Sequence, residues 1–477
     1  MLLWSIDGDV LWMQAKHVSK HIWDKEEDRK LHIRRVVPTY QGQEQIPEEI
    51  IPLLRQYDEI LKINASLISA LIERWRPETH VFHMRCGECT ITLQDVYVLL
   101  GLRMDGAPLI GPTNLDLIDL CEELLGVRPQ EGELQGSVVK LSWLAHHFSQ
   151  LNNHDGNVQQ LQWFTRAWIL RFIGGVLFVD KGSSKVFLRY LQFLRDFGQC
   201  STYAWGLAVL AYLYREMCSA ADYILIQMWA WERCTTLSPK RTPSVIENKP
   251  LGHRWLRRGN QHIGNDDLIV FRRKLDIMKR HEFLCEPCTT NVMSALPPIC
   301  LVGSVAWCAV MPLICFHVVE WHQPDRVLRQ FGMQQPIPGS FGQLFTLMII
   351  QWNNQADFRV DGYPRQEGLL SFNSNYMVWY RRKIKMFVDP KNANTSTLAE
   401  VAETLQYMVS PQERNTWTID DLRITESVSH GPTSEHQFPT QEFHILQSSY
   451  PFEGHHTDTS ASEHSVVLRK HILIFHD

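Results

Sequence analysis

The sequence predicts a mainly α-helical fold: one large helical domain over residues 1–390 with a few short β-hairpins, a partly ordered extension over 391–424 and a disordered tail over 425–477. Three observations carry that expectation. Apolar residues recur at helical spacing in a long series of tryptophan-rich segments. Strand-like alternation is confined to short stretches beside turn residues. Beyond about residue 425 the chain is rich in Ser, Thr, His and Pro and poor in aliphatic side chains, a composition that cannot bury enough apolar surface to offset the entropy of ordering.

In chain order, VLWMQAKHVSKHIWD reads as a short helix in an opening segment that ends near Pro38. Ile63, Leu67, Ile68, Leu71, Ile72 and Trp75 fall on one helical stripe, which stops where Pro77 follows ERWR. HVFHMRCGECTIT (His80–Thr92) reads as a hairpin turning at Gly87-Glu88. Glycine in the first central position suits a type II′ turn. That turn would pair Cys86 with Cys89, Arg85 with Thr90, Met84 with Ile91 and His83 with Thr92. Thr92 then caps a helix LQDVYVLLGL, with Asp95 near its third position and Gly101 just past its end. LDLIDLCEELLG, KLSWLAHHFSQL, LQWFTRAWILRFIGGVLF, KVFLRYLQFLRDF, YAWGLAVLAYLYREMCSAA, LIQMWAWERC and LIVFRRKLDIMKRHEF follow as helices. The uncharged run Ile299–Val319 is long enough to span a bilayer, but Pro312 and His317 interrupt it, and a buried helix followed by a buried strand, split at Pro312, is expected instead. DRVLRQFG fits a helix with Pro324 at its first position and Gly332 after its end. YMVWYRRKIKMFV is the last clear helix, and a shorter candidate runs through Tyr407.

Composition bounds the chemistry. At 477 residues with 44% hydrophobic and 21% charged residues, the chain has the make-up of a water-soluble globular protein. A net charge of -5 argues against wrapping nucleic acid through bulk electrostatics. MLLWSIDGDVLW lacks the basic-then-apolar order of a secretory signal, and eleven cysteines scattered along the chain fit a reducing compartment better than a disulfide framework.

His80, His83, Cys86 and Cys89 invite a zinc reading, which the hairpin refuses. Side chains alternate along a strand, so Phe82, Met84, Cys86, Cys89 and Ile91 share one face, while His83, Arg85, Thr90 and Thr92 share the other. His83 then points away from the cysteines, and His80 lies about 20 Å from them along the strand at roughly 3.3 Å per residue. Cys86 and Cys89 are expected to be structural. CEPC (Cys285–Cys288) is a second pair that would complete a four-cysteine site across the fold, but nothing local supports the pairing. His17 and His21 share a helix face without the HExxH glutamate, and His455-His456 sit in the tail. No metal, cofactor-binding or catalytic residue is therefore assigned, and no cofactor is expected.

GGVLFVDKGSSK lacks the order of a phosphate loop and reads as a helix end and turn. Acidic pairs such as Asp266-Asp267 and Asp420-Asp421 name no acid or base without fold context. Basic runs at His253–Asn260, Phe271–His281 and Trp379–Lys385 read as solvated helix faces with arginine stems on the core, phosphate contact being the competing reading.

ERWRPETHVFHMRCGECTITLQDVYVLLGL, DYILIQMWAWERC, PLICFHVVEWHQPDRVLRQFG and YMVWYRRKIKMF, in this order, resemble the plant mobile domain family, also described as aminotransferase-like, with similarity from about Val10 to Val388. The resemblance implies a largely helical, non-catalytic nuclear domain related to domains of plant transposable elements. It implies a role in transposon silencing, gene expression and meristem maintenance, with a long-form phosphatase-seven-like protein as partner; from the residues themselves no membrane association is expected, and nucleic-acid contact at most weak or indirect. The metallophosphatase blocks GDxHG, GDxVDRG and GNHE are absent apart from a GNQH fragment at Gly259, and no Schiff-base lysine set for a pyridoxal enzyme can be assembled. The family has no active-site motif to carry over. ICLVGSVAWCAV departs from the family pattern, as does the tail.

Overall fold

Thr92 begins the most locally determined element of the fold. Its hydroxyl accepts from the Asp95 backbone N–H at 3.2 Å, while an Asp95 carboxylate oxygen accepts from Thr92 N at 2.8 Å. This reciprocal box starts the helix Leu93–Leu100, which Gly101 ends in the left-handed region at φ 69°. Thr92→Ala is expected to lower unfolding free energy by about 1 kcal/mol, measured by urea titration.

The computed structural model describes residues 17–23 and 63–383, apart from 113, 150–157, 180–183, 218–223, 240–243, 257–266, 299–302, 340–351, 353, 361 and 372. The described α-helices of seven residues or more are α1 (Ala65–Ile72), α2 (Leu93–Leu100), α3 (Leu117–Leu125), α4 (Leu141–His147), α5 (Val158–Phe172), α6 (Trp205–Met217), α7 (Ile224–Arg233), α8 (Leu268–Ile277) and α9 (Asn375–Lys383). Three small antiparallel sheets accompany them. The first joins β1 (Trp75–Arg76), β2 (Val81–Met84) and β3 (Gly87–Cys89); the second joins β4 (Leu134–Gln135), β5 (Val138–Lys140) and β6 (Lys185–Phe187); the third pairs β7 (Met311–Cys315) with β8 (Val318–His322). The fold is mainly helical, as the periodicity predicts.

A continuous apolar core runs from Leu67 on α1 through Trp229 on α7 and Leu275 on α8 to Met311 and Leu313 on β7. Its tryptophans are packing residues. Trp229 stacks on Phe82 with centroids 5.0 Å apart, and Trp231 meets Trp255 at 5.0 Å. Among the described residues no helix is long and apolar enough to cross a membrane. The Ile299–Val319 run instead contains a 3-10 turn at Ser304–Cys308 and strand β7.

Several local expectations are corrected. The hairpin turns at Arg85-Cys86, not at Gly87-Glu88: Met84 pairs with Gly87, His83 with Glu88 and Phe82 with Cys89. Gly87 is required for a different reason. Its φ is 119°, and a Cβ there would lie 2.3 Å from an Arg329 guanidinium nitrogen and 3.0 Å from the Tyr376 ring. The displacement is an even number of residues, so Phe82, Met84 and Cys89 still share a face. Trp75 lies on β1, because α1 ends at Ile72 and the chain turns back to pair with β2. KVFLRYLQFLRDF is not an α-helix. Lys185–Phe187 forms β6 against β5, and Leu188–Leu194 coils as a 3-10 segment. Pro324–Phe331 is likewise 3-10, with a non-helical break at Val327, although Pro324 and Gly332 hold their expected end positions. The split expected at Pro312 falls earlier, at Ala309-Val310; Pro312 sits inside β7, where a two-stranded ladder leaves alternate N–H groups without a strand partner. Everything beyond residue 383, including the expected extension and tail, lies outside the described residues.

Candidate functional site

Between Glu73 and Asp95 a dense set of polar side chains is buried: Glu73, Arg74, Arg76, Glu78, His80, His83, Arg85, Glu88, Thr90 and Asp95. Burying charge is costly unless each group is paired, so the partners define what this region does. Helix α8 supplies two of them one turn apart. Arg272 makes a two-pronged pair with Glu73 at 2.8 and 2.9 Å, and Asp276 accepts from Arg74, with both side chains of that second pair fully buried. At the C-terminal end of α7, Arg233 donates to Asp95 at 2.6 and 3.0 Å, tying the α2 capping box into the core. The 3-10 segment 324–331 supplies Arg326 to Glu88, and Gln330 to both the N–H and the C=O of Thr90, at 2.7 and 2.9 Å. Helix α9 closes the hairpin from outside: Tyr376 Oη accepts from Glu88 N at 2.9 Å, and Tyr380 Oη donates to Met84 O at 2.7 Å.

The two histidines of the hairpin go separate ways. His83 Nδ1 accepts from Arg76 Nε at 3.2 Å. Burial, reinforced by the nearby Arg76 and Arg326 charges, holds His83 well below the usual histidine range, so it is neutral. His80 adopts φ 49°, stacks on Tyr214 at 5.0 Å and reaches Glu320 at 3.0 Å, while Arg215 binds the other Glu320 oxygen at 2.5 Å. Burial alone would raise the Glu320 carboxyl; the His80 hydrogen bond and charge and the Arg215 charge outweigh it and hold the carboxyl below its ordinary value. His17, the first of the i, i+4 pair, bonds Ser19 at 2.8 Å and the Trp75 carbonyl at 2.5 Å, whereas the His21 side chain lies outside the described residues.

The cysteines of the two pairs are buried or partly buried. Cys89 is buried with its Sγ 3.9 Å from the Phe82 carbonyl, and burial pushes the Cys86 thiol up to about 11. Cys86 from the first pair and Cys285 from the second line the same cavity of about 300 Å³, yet no group of three or more His, Cys, Asp or Glu side chains among the described residues is arranged to hold a metal ion. We expect Cys86→Ala with Cys89→Ala to cost about 1–3 kcal/mol of stability through lost packing, with no change in bound zinc by elemental analysis of the purified protein.

Arg273, Lys274, Lys279 and Arg382 of the basic runs are exposed, as expected of solvated helix faces, but two other arginines turn inward. Arg272 is buried against Glu73, and Arg254 pairs with Glu232, whose carboxylate also accepts from Trp255 Nε1 at 2.6 Å. Asp267, from one of the acidic pairs, caps α8 by accepting from Ile269 N at 2.9 Å.

The charged letters of the 73–95 stretch were visible in the sequence, but their partners were not. The signal available was the set of blocks that resemble one family. The first supplies the hairpin and α2, the second Arg233, the third Glu320, Arg326, Arg329 and Gln330, and the fourth Tyr376 and Tyr380. All four meet in one polar layer.

Comparison with known proteins agrees with this convergence. The family profile described as "Plant mobile domain" matches residues 55–381. The chain is 36% identical over 437 residues to an Arabidopsis thaliana "Serine/threonine-protein phosphatase 7 long form homolog", covering 81% of this chain and 32% of that protein. It is 32% identical over 410 residues to "Protein MAIN-LIKE 1" of Arabidopsis thaliana, covering 79% of each. To "Protein MAINTENANCE OF MERISTEMS" of the same plant it is 33% identical over 385 residues, covering 74% of this chain and 79% of the other. The chain therefore spans about a third of the phosphatase-named relative and most of the other two. No solved structure matches.

Proposed function

Because the chain belongs to the plant mobile domain family, we propose that it is a non-catalytic nuclear protein-interaction domain of transposon-related origin. In this reading it acts in transposable-element silencing, gene expression control and meristem maintenance, and its partner is a long-form phosphatase-seven-like protein. The observation that supports the reading best is how the charged residues of the 73–95 stretch are used. Glu73, Arg74, Glu88 and Asp95 are each tied to another element of the fold, as they would be in a scaffold that holds a shape rather than in a site that turns over a substrate. The relative named for meristem maintenance supports the biological side. The phosphatase in another relative's name stays with that protein, only 32% of which this chain covers.

A nucleic-acid-binding reading rests on the three basic runs, and the inward pairing of Arg254 and Arg272 weakens two of them. Purification of the full chain from plant nuclei with mass spectrometry separates the readings. A scaffold retains a phosphatase-like protein partner at salt high enough to screen phosphate contacts, whereas a nucleic-acid binder loses its cargo steeply as salt rises. Salt-labile nucleic acid with no protein partner, or Mn²⁺-dependent phosphate-ester hydrolysis by the purified chain, would overturn the proposal.

A further inference from the structure

The cavity between the hairpin turn, the 280–286 segment and residues 366–377 has one feature that the ion-pair layer does not explain. Its wall includes Arg329, which is only 6% exposed. Arg74, Arg233, Arg272 and Arg326 each pair with a carboxylate, whereas Arg329 has no carboxylate within ion-pair distance among the described residues. Its polar neighbours are weak. One Nη donates to the Glu88 carbonyl at 3.3 Å, the guanidinium lies over the Tyr376 ring at 5.6 Å, and Nε is buried with no acceptor. The neighbouring Glu88 carboxylate gives Oε1 to Arg326, and the Arg329 charge reaches it without an ion-pair contact. Cys86 beside it is not a counter-ion, because burial keeps its thiol protonated at neutral pH. A guanidinium taken out of water with no carboxylate in ion-pair contact bears a desolvation cost that a bound anion would offset.

The rest of the wall says which anion. Leu370 and Met377 give the cavity an apolar side, and Leu284 and Leu369 continue it outward as exposed apolar side chains. Glu286, held loosely by Arg365 at 3.6 Å, also lines the cavity, as do His281 and Arg280, whose guanidinium donates to the Leu370 carbonyl at 2.9 Å. A planar guanidinium offers two parallel N–H bonds to a planar carboxylate. The volume, about 300 Å³, is at the small end for ligand pockets. We infer that this cavity binds a carboxylate carrying a short apolar chain, with the carboxylate on Arg329 and the chain against Leu370 and Met377. The group comes either from a free short-chain acid or from a glutamate side chain of a partner peptide.

Cys285 lines the same cavity and is half-exposed, which gives a direct readout in the full-length protein. The test is the rate of N-ethylmaleimide labelling at Cys285, resolved by peptide mass spectrometry, with Cys200 as internal control. Butyrate and a capped glutamate peptide are the two carboxylate probes; butyramide and inorganic phosphate are the controls. At a concentration ten times its Kd, the preferred probe should slow labelling of Cys285 about tenfold by mass action, leave Cys200 unchanged, and lose this effect in Arg329→Gln. Whichever carboxylate protects at the lower concentration identifies the source. Equal protection by butyramide, protection by phosphate alone, or no protection by either carboxylate would overturn the inference. These comparisons hold in the wild-type chain even if Arg329→Gln does not fold.

Discussion

Replacing Asp95 with alanine should destabilise the domain more than any change on its surface, by about 3–5 kcal/mol, because it leaves a buried guanidinium without its partner. The Arg233 side chain is 1% exposed, and its ion pair is to Asp95. The same substitution removes the carboxylate that accepts from Thr92 N and Thr92 Oγ1, both at 2.8 Å, so the α2 cap is lost with the pair. Thr92→Ala removes only the cap. Urea unfolding of the two variants should therefore separate the contributions, with Asp95→Ala the more severe by at least twofold. Equal losses would mean that the Arg233 pair contributes nothing net.

A second large effect is expected from acid. His322 is fully buried; its Nδ1 donates to the Ala309 carbonyl at 2.9 Å, and its Nε2 faces the Leu93 N–H at 3.5 Å, at the first turn of α2. Burial lowers its pKa from 6.5 to about 4, against a smaller opposing effect of the Ala309 hydrogen bond. The unfolded chain takes up a proton near pH 6.5 that the folded chain refuses until about pH 4. The stabilisation from neutral His322 is thus fully present above pH 6.5 and declines as pH falls towards 4, by up to about 1.4 kcal/mol per pH unit. Buried Glu88 and Glu232, whose carboxyls burial raises, act in the opposite direction. They are common to the wild type and to His322→Asn, so the difference between the two proteins isolates the histidine. That difference, measured by urea unfolding, should shrink between pH 6.5 and 4.5; a constant difference would mean that His322 titrates normally in the fold.

How far these features could be read from the sequence follows from the range of the forces involved. The Thr92 cap, Asp95 at the third helical position and the Gly101 stop are satisfied within one helix, and all three are where the sequence places them. The strand faces survived too, because alternation is a local property. The hairpin turn did not. Gly87-Glu88 is a sound local turn, but Gly87 packs against Arg329 and Tyr376, which no local pattern places beside it. Trp75 fitted the α1 stripe, yet β1 forms because Arg76 pairs across to Val81. Residues 185–187 carry helical periodicity and become a strand because β5 offers them a partner. For the polar layer the sequence showed the charges and hid their pairing, since Glu73 and Arg272, or Arg74 and Asp276, meet only in the folded chain.

The central claim, that the charged residues of the 73–95 stretch serve internal pairing, is tested most directly by a double-mutant cycle on Glu73 and Arg272, joined at 2.8 and 2.9 Å. Equilibrium unfolding is measured for the wild type, Glu73→Leu, Arg272→Met and the double variant. Each single change is expected to cost about 3–5 kcal/mol by stranding a buried charge, and the double variant should recover most of that loss, with a coupling energy of at least about 1.5 kcal/mol. Single changes within about 0.5 kcal/mol of wild type and no coupling would contradict the account, and would mean that these side chains are held for something other than the fold.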